Sequence, residues 1–176
     1  MYLISLYFEQ NTTNRINQYI KQVAKKSKNT YMLDANIPPH MTISAFETCC
    51  LNEVTVCLEN SISKLSQGNV QFVGAGVFFP YVLYLQPVLN RYLHSLSVTI
   101  YESLFSITDT YIQKYYQPLQ WLPHTTIGKK LSRTEMLTAF SVLQDSFGLF
   151  EGTVTQIGLS KTKPYTDIMV WNLKNN

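Results

Sequence analysis

The sequence predicts an α+β protein made of two similar halves, and three observations lead there. A five-residue string occurs twice, as Pro39-His40-Met41-Thr42-Ile43 and Pro123-His124-Thr125-Thr126-Ile127. The hydrophobic patterning around each copy reads as strand, helix, motif strand, helix, strand. Landmarks also recur at a near-constant offset, with His124 lying 84 positions after His40, Ser132 80 after Asn52 and Gly158 82 after Gly76. A repeat of this kind predicts a pseudo-two-fold arrangement in which equivalent strands meet. We expect one bilobal domain over 1–176, with lobes of approximately 1–79 and 80–176 and room for strand exchange between them.

Tyr2–Phe8, aromatic and aliphatic throughout, predicts the first strand. Asn11, Thr12 and Thr13 offer caps for a helix whose apolar positions Ile16, Ile20, Val23 and Ala24 keep a helical period to about Lys28. Lys21, Lys25 and Lys28 share one side of it and are expected to be solvated. Ile37-Pro38-Pro39 ends a loop that delivers the first motif strand, His40–Phe46. Asn52 is the expected cap of a second helix striped by Val54, Leu58, Ile62 and Leu65. Gly68-Asn69 turns the chain into a strand over Val70–Phe79, where Gly74 and Gly76 mark a bulge or a close backbone approach.

Tyr81–Leu85 predicts a further strand. Pro87 suits the first turn of a helix over 88–107, buried along Leu89, Tyr92, Leu93, Leu96, Ile100 and Leu104. His94 falls in this helix, outside either string, and is expected to be structural. The stretch 109–122 is aromatic without a clear period, and its Tyr111, Tyr115, Tyr116 and Trp121 are expected to pack. The second motif strand spans His124–Lys129. Ser132 caps a helix with Met136, Leu137, Phe140 and Leu143 inward. Phe150–Ser160 and Asp167–Leu173 close the chain as a hairpin around Lys163-Pro164-Tyr165-Thr166.

Composition narrows the function. A formal charge of +3 and only 14% charged residues are compatible with an anionic substrate but lack the dense basic signature of a duplex-binding protein. Cys49, Cys50 and Cys57 match neither a disulfide framework nor a paired zinc motif, so free thiols in a reducing compartment are expected. Residues 2–8 lack the basic leader and the length of a signal peptide. The longest apolar stretch, Val73 to Leu85, is broken by Gly74, Gly76 and Pro80 and is too short to span a bilayer. A soluble cytoplasmic protein, with no membrane association, is the expectation.

In a strand alternate side chains share a face, so each string presents an imidazole and a hydroxyl together: His40 with Thr42, and His124 with Thr126. Two such pairs facing one phosphorus atom would supply a base, an acid and two neutral donors for in-line displacement at a phosphodiester. Histidine suits this because its pKa lies near neutrality. No carboxylate cluster with metal-ligand spacing accompanies the histidines, so no metal and no cofactor are expected. A zinc site from His40, His124 and a cysteine is the minor alternative.

These strings resemble the signature of the 2H (two-histidine) phosphoesterase superfamily, which includes the 2′-5′ RNA ligase-like proteins and the 2′,3′-cyclic phosphodiesterases. That signature is His, an apolar residue, Thr or Ser, and another apolar residue. His40-Met41-Thr42-Ile43 matches in full, while His124-Thr125-Thr126-Ile127 departs at Thr125, which should point away from the cleft. The linking region Phe72–Leu96 is also similar to the family's middle section. The resemblance implies a LigT-like bilobal α+β fold with two antiparallel sheets around a central groove and helices outside. It implies metal-independent hydrolysis of 2′,3′-cyclic phosphates or 2′-5′ linkages in RNA or nucleotides, with His40 and His124 as the catalytic acid/base pair and Thr42 and Thr126 binding the phosphate. Lys161 and Tyr165 are further substrate-binding candidates, whereas Lys129, Lys130 and Arg133 read as solvated. An RNA-end or nucleotide-binding module without turnover, and 2′-5′ RNA ligation by the reverse reaction, are the competing functions. A monomer acting on an RNA or nucleotide substrate is expected.

Overall fold

A computed structural model describes residues 1–175. The described residues form eight strands and five α-helices, in the order β1 (Tyr2–Phe8), α1 (Gln10–Ser27), α2 (Tyr31–Asp34), β2 (His40–Thr48), α3 (Leu51–Ile62), β3 (Gly68–Phe78), β4 (Val82–Pro87), α4 (Arg91–Phe105), β5 (Thr110–Ile112), β6 (Thr125–Gly128), α5 (Arg133–Ser146), β7 (Phe150–Lys161) and β8 (Thr166–Asn172). A single 3₁₀ turn, Lys114–Tyr116, follows β5.

Every pairing between these strands is antiparallel, in the order β5-β2-β1-β7-β3-β4-β6, with β8 added to β7. The two expected sheets are therefore continuous. The twelve-residue β7 joins them: Phe150–Val154 pairs with β3, and Val154–Lys161 pairs with β1. Beyond residue 154 the flank that β3 occupied passes to β8, which pairs with Gln156–Lys161. Helices pack in pairs, α1 against α5 and α3 against α4. Ile16, Ile20 and Val23 meet Met136, Ala139 and Leu143 in one core that also takes in Val54, Leu58, Leu93, Leu96 and Ile100.

Several local expectations give way to different caps. The first helix starts at Gln10 behind Glu9 without a side-chain cap. Thr12 is instead buried and accepts from the Thr153 amide at 3.2 Å, tying α1 to β7. Asn52 lies inside α3, and the preceding turn is held by Thr48 Oγ1 accepting from the Cys50 amide. Pro87 ends β4 rather than opening a helix. The cap of α4 is Asn90, whose side-chain oxygen accepts from the Leu93 amide at 2.9 Å. Ser132 does cap α5, as one half of a capping box with Glu135.

Two glycines make close approaches possible. A Cβ at Gly76 would run into the Tyr84 hydroxyl, and one at Gly158 into the Tyr7 ring. Each glycine lets a tyrosine from a neighbouring strand lie flat over its backbone. Tyr7 and Tyr84 are in turn ring neighbours of the two motif histidines, Tyr7 of His40 and Tyr84 of His124.

Candidate active site

Alternation along the motif strands separates core from groove. Met41 and Ile43 are buried, and His40 and Thr42 beside them are half-buried. The second copy repeats the pattern, with Thr125 and Ile127 buried and His124 and Thr126 half-buried. His40 is the first residue of β2, opposite Tyr7, and Thr42 lies opposite Ser5. His124 immediately precedes β6, in which Thr126 pairs with Tyr84. Strands β2 and β6 are not hydrogen-bonded neighbours, yet they approach one another. The Trp121 indole, buried just before the second string, donates to the Thr42 carbonyl at 2.9 Å and pins the two motif segments together.

Both imidazoles are held the same way. His40 Nδ1 lies 2.9 Å from the Pro38 carbonyl oxygen, and His124 Nδ1 lies 2.8 Å from that of Leu122. A carbonyl can only accept, so Nδ1 carries the hydrogen in each ring. The tautomer is thereby fixed, and Nε2 is left in both rings as the atom that takes or gives a proton. A residue two positions back supplies the acceptor in each case, a consequence of the loop that ends in proline just before each histidine.

Burial lowers the pKa of His40 from the ordinary histidine value. The Pro38 carbonyl and the Asp167 carboxylate oppose that shift, and the Lys129 ammonium reinforces it. Burial likewise lowers His124, the Leu122 carbonyl opposes, and the charge of His40 adds to the lowering. The two rings thus feel each other, and a proton on one disfavours a proton on the other.

The surroundings then diverge. Beside His40, the Tyr7 ring stands 6.3 Å away between centroids. Tyr7 Oη lies 2.9 Å from Tyr165 Oη, and the Tyr165 hydroxyl donates to Asp167 Oδ1 at 3.0 Å. Burial, with Tyr165 and Asp167, holds the Tyr7 phenol far above its usual range, so it stays protonated. Beside His124 the neighbours are aromatic. Phe78 meets its ring edge-on at 4.7 Å, and Tyr84 does so at 5.4 Å.

Of the weaker candidates, Tyr165 joins the cluster next to His40. Lys161 does not: it is exposed at the end of β7, opposite Tyr2 and Thr166. Ser160, its neighbour, faces Asp167, and strand alternation sends Lys161 to the other side of the sheet. The lysine whose charge reaches His40 is Lys129, which the sequence suggested was merely solvated. Tyr7, Phe78, Tyr84 and Asp167 were not singled out. The offset that relates Gly76 to Gly158 carries Tyr7 to Leu89, so the repeat does not single out the tyrosine pair. Asp167 carries no signal of that kind either. Among the described residues, no group of three or more His, Cys, Asp or Glu side chains could hold a metal ion.

The family model of the 2′-5′ RNA ligase superfamily matches residues 13–165, which include both strings. The chain belongs to the 2′-5′ RNA ligase superfamily. It is accordingly a 2H phosphoesterase by family, as its two strings suggested. No curated protein matches it in sequence. Among solved structures, it is similar to the TT0787 protein of Thermus thermophilus, with 13% identity, coverage of 99% of this chain and 98% of that one, and a TM-score of 0.60. E. coli LigT complexed with 3′-AMP gives 12% identity, coverage of 98% and 97%, and a TM-score of 0.59. Kluyveromyces marxianus Usb1 gives 12% identity, coverage of 98% and 97%, and a TM-score of 0.52. At these identities the likeness establishes the LigT-like fold. Membership in the superfamily supports phosphodiesterase- or ligase-type chemistry. No helix among the described residues is long and apolar enough to cross a membrane.

Proposed function

We propose that this protein is a phosphodiesterase that hydrolyses 2′,3′-cyclic phosphate or 2′-5′ phosphodiester bonds in RNA or nucleotides without a metal ion. The observation that carries the reading is the matched tether of the two imidazoles, each donating from Nδ1 to a carbonyl two residues back. In this reading one neutral imidazole takes the proton of the attacking hydroxyl or water at Nε2. The other, protonated, delivers a proton from Nε2 to the leaving oxygen as its bond to phosphorus breaks. Thr42 and Thr126, on the same faces as the histidines, donate to the non-bridging oxygens where charge accumulates. Lys129 adds positive charge on the His40 side.

The 3′-AMP bound in the LigT structure supports a nucleotide as the ligand class here. Ligation of 2′-5′ ends is the same chemistry in reverse and would use the same atoms, so substrate supply decides the direction. The test is incubation of the protein with a 2′,3′-cyclic nucleotide, a 2′-5′ dinucleotide and a short RNA in excess EDTA, with products resolved by chromatography. Turnover that persists in EDTA and follows a bell-shaped pH profile is expected. Absent turnover alongside measurable binding would instead make this a recognition module.

A further inference from the structure

The two motif strands hold distant places in the sheet. Four strands, β1, β7, β3 and β4, stand between β2 and β6. Each pair in such a series adds its own twist, so ladder bonds alone hold the separation of His40 and His124 loosely. Among the described residues, the only hydrogen bond from residues 39–43 to residues 121–127 runs from Trp121 Nε1 to the Thr42 carbonyl, at 2.9 Å. The course of the chain shows how the indole comes to be there. Strand β5 covers β2 at Phe46–Thr48, and the Gln113 amide donates to the Ala45 carbonyl at 2.9 Å. Closer to His40, no strand other than β1 pairs with β2 among the described residues, and the indole N–H supplies the next donor. The Trp121 backbone is itself fixed by a turn in which the Gln120 and Trp121 amides both donate to the Gln117 carbonyl, each at 3.0 Å. The first half has no counterpart. Three positions before His124 stands Trp121, and three before His40 stands Ile37, whose side chain has no donor.

We propose that Trp121 is a positioning residue for the phosphodiester reaction, its indole N–H fixing, through Thr42, the distance across which the two imidazoles act. The inference rests on the phosphodiesterase reading and adds to it a residue outside the repeated strings. Trp121 works through others. Its bond holds the β2 backbone that carries His40 and Thr42, while its ring borders the cavity that His124 lines with Phe78 and Tyr116. The side chain is thus bonded on the side of the first histidine and packed on the side of the second. In-line displacement needs both Nε2 atoms at one phosphate, and an ångström of misplacement can cost ~10²-fold in rate. Spacing also has an electrostatic signature. The charge of His40 lowers the His124 pKa, and that effect weakens as the rings separate. The other charges that act on the pair, Asp167 on β8 and Lys129 after β6, sit on segments to which the indole makes no bond.

The test removes the donor and keeps a ring. Trp121→Phe deletes the N–H, and 3-benzothienylalanine introduced at position 121 by nonsense suppression keeps the shape of the indole with sulfur in place of the N–H. Trp171→Phe is the control, because that indole has no hydrogen-bond partner among the described residues. Circular dichroism melts verify folding. The substrate is 2′,3′-cyclic AMP or a 2′-5′-linked adenylyl dinucleotide, whichever the wild type turns over faster. Both forms without the donor should lower kcat at least about tenfold and change KM less than about threefold. The kcat/KM bell should narrow as its acid limb moves up, since weaker repulsion between the rings lets the second proton bind at higher pH. Proton NMR of the three histidines, without substrate, should show His124 titrating at higher pH than in the wild type. Trp171→Phe should match the wild type in every measurement. An unchanged kcat in the folded forms without the donor overturns the inference and leaves the phosphodiesterase reading standing. A bell of unchanged width with an unshifted His124 titration, or an equal loss in Trp171→Phe, does the same. Absence of turnover by the wild type overturns the phosphodiesterase reading. The titration then decides the spacing alone, and an unshifted His124 overturns that too.

Discussion

The two halves of the groove share a backbone plan and differ in what surrounds it. In one, Gly158 on β7 makes room for Tyr7 on β1, which lies against His40 on β2. In the other, Gly76 on β3 makes room for Tyr84 on β4, which lies against His124 before β6. Even the tethers agree, each ring bonded to the carbonyl two residues earlier. Around this common frame, the Asp167 carboxylate and the Lys129 ammonium act on His40, while His124 has the Phe78 and Tyr84 rings beside it and feels His40 itself. Coupling between the rings already disfavours two protons at once, and the divergent side chains bias which ring holds the single proton.

The sharpest way to break the comparison is to remove either ring. His40→Ala and His124→Ala should each lower kcat by about 10³-fold, in the range of lost general acid–base catalysis. The double variant should lose little more, because one ring without the other completes no displacement. Thr42→Ala and Thr126→Ala should each cost less, about 10²-fold, as removal of one donor to the developing charge. Steady-state kinetics on whichever substrate is turned over checks both. If one histidine variant retains near-full activity, the halves are not partners in one reaction.

The charge difference yields a smaller effect with a definite sign. Asp167 raises the His40 pKa and Lys129 lowers it. Asp167→Asn removes the favourable charge, so the imidazolium is disfavoured and the limb of the kcat/KM profile belonging to His40 should move to lower pH. Lys129→Gln should move that limb upward. The His124 limb should respond less to either, since neither charge acts on it. Movement of both limbs together would show that the pair titrates as one unit. Folding stability follows the same linkage. Both rings have lowered values, so stability should fall as pH drops from the unfolded histidine value, about 6.5, toward the folded values, because the unfolded chain takes up the protons first. Urea melts between pH 5 and 8 measure this.

The glycines give the next step down. Gly76→Ala and Gly158→Ala each force a methyl into a nearly buried tyrosine ring. Overpacking of this kind should cost about 1–3 kcal/mol in each half. Closely matched losses in chemical denaturation would support structural equivalence. A large loss at one glycine and none at the other would show that the repeat is only in the sequence.

Much of this was legible beforehand because it is local. The repeated strings, the alternation that turns His and Thr to one face, the cap at Ser132 and the close approach at Gly76 all follow from neighbours a few residues away. The join of the sheets through β7 was not, since nothing in Phe150–Lys161 announces that its two ends pair with different partners. Helix caps failed where tertiary bonds claimed the side chains, as Thr12 does with the Thr153 amide. Asp167 and Lys129 were missed for the same reason: a charge is recognised as functional only once another segment has brought a histidine to it.

The smallest predicted effect comes from the one departure in the second string. Thr125 points away from the groove, as alternation requires, and is wholly buried opposite Leu85. Its hydroxyl has no hydrogen-bond partner among the described residues. A buried hydroxyl without a partner forfeits its hydration, at about 1–3 kcal/mol. Met41, the corresponding residue of the first string, has no such group to desolvate. Thr125→Val keeps the branched shape that suits a strand and removes the stranded oxygen. It should therefore stabilise the protein by about 1 kcal/mol, seen as a rise in Tm of roughly 2–4 °C. Since the side chain faces the core, kcat should not change. A fall in Tm would mean that the hydroxyl is satisfied after all, and the two strings would then differ in their buried bonding as well as in their groove.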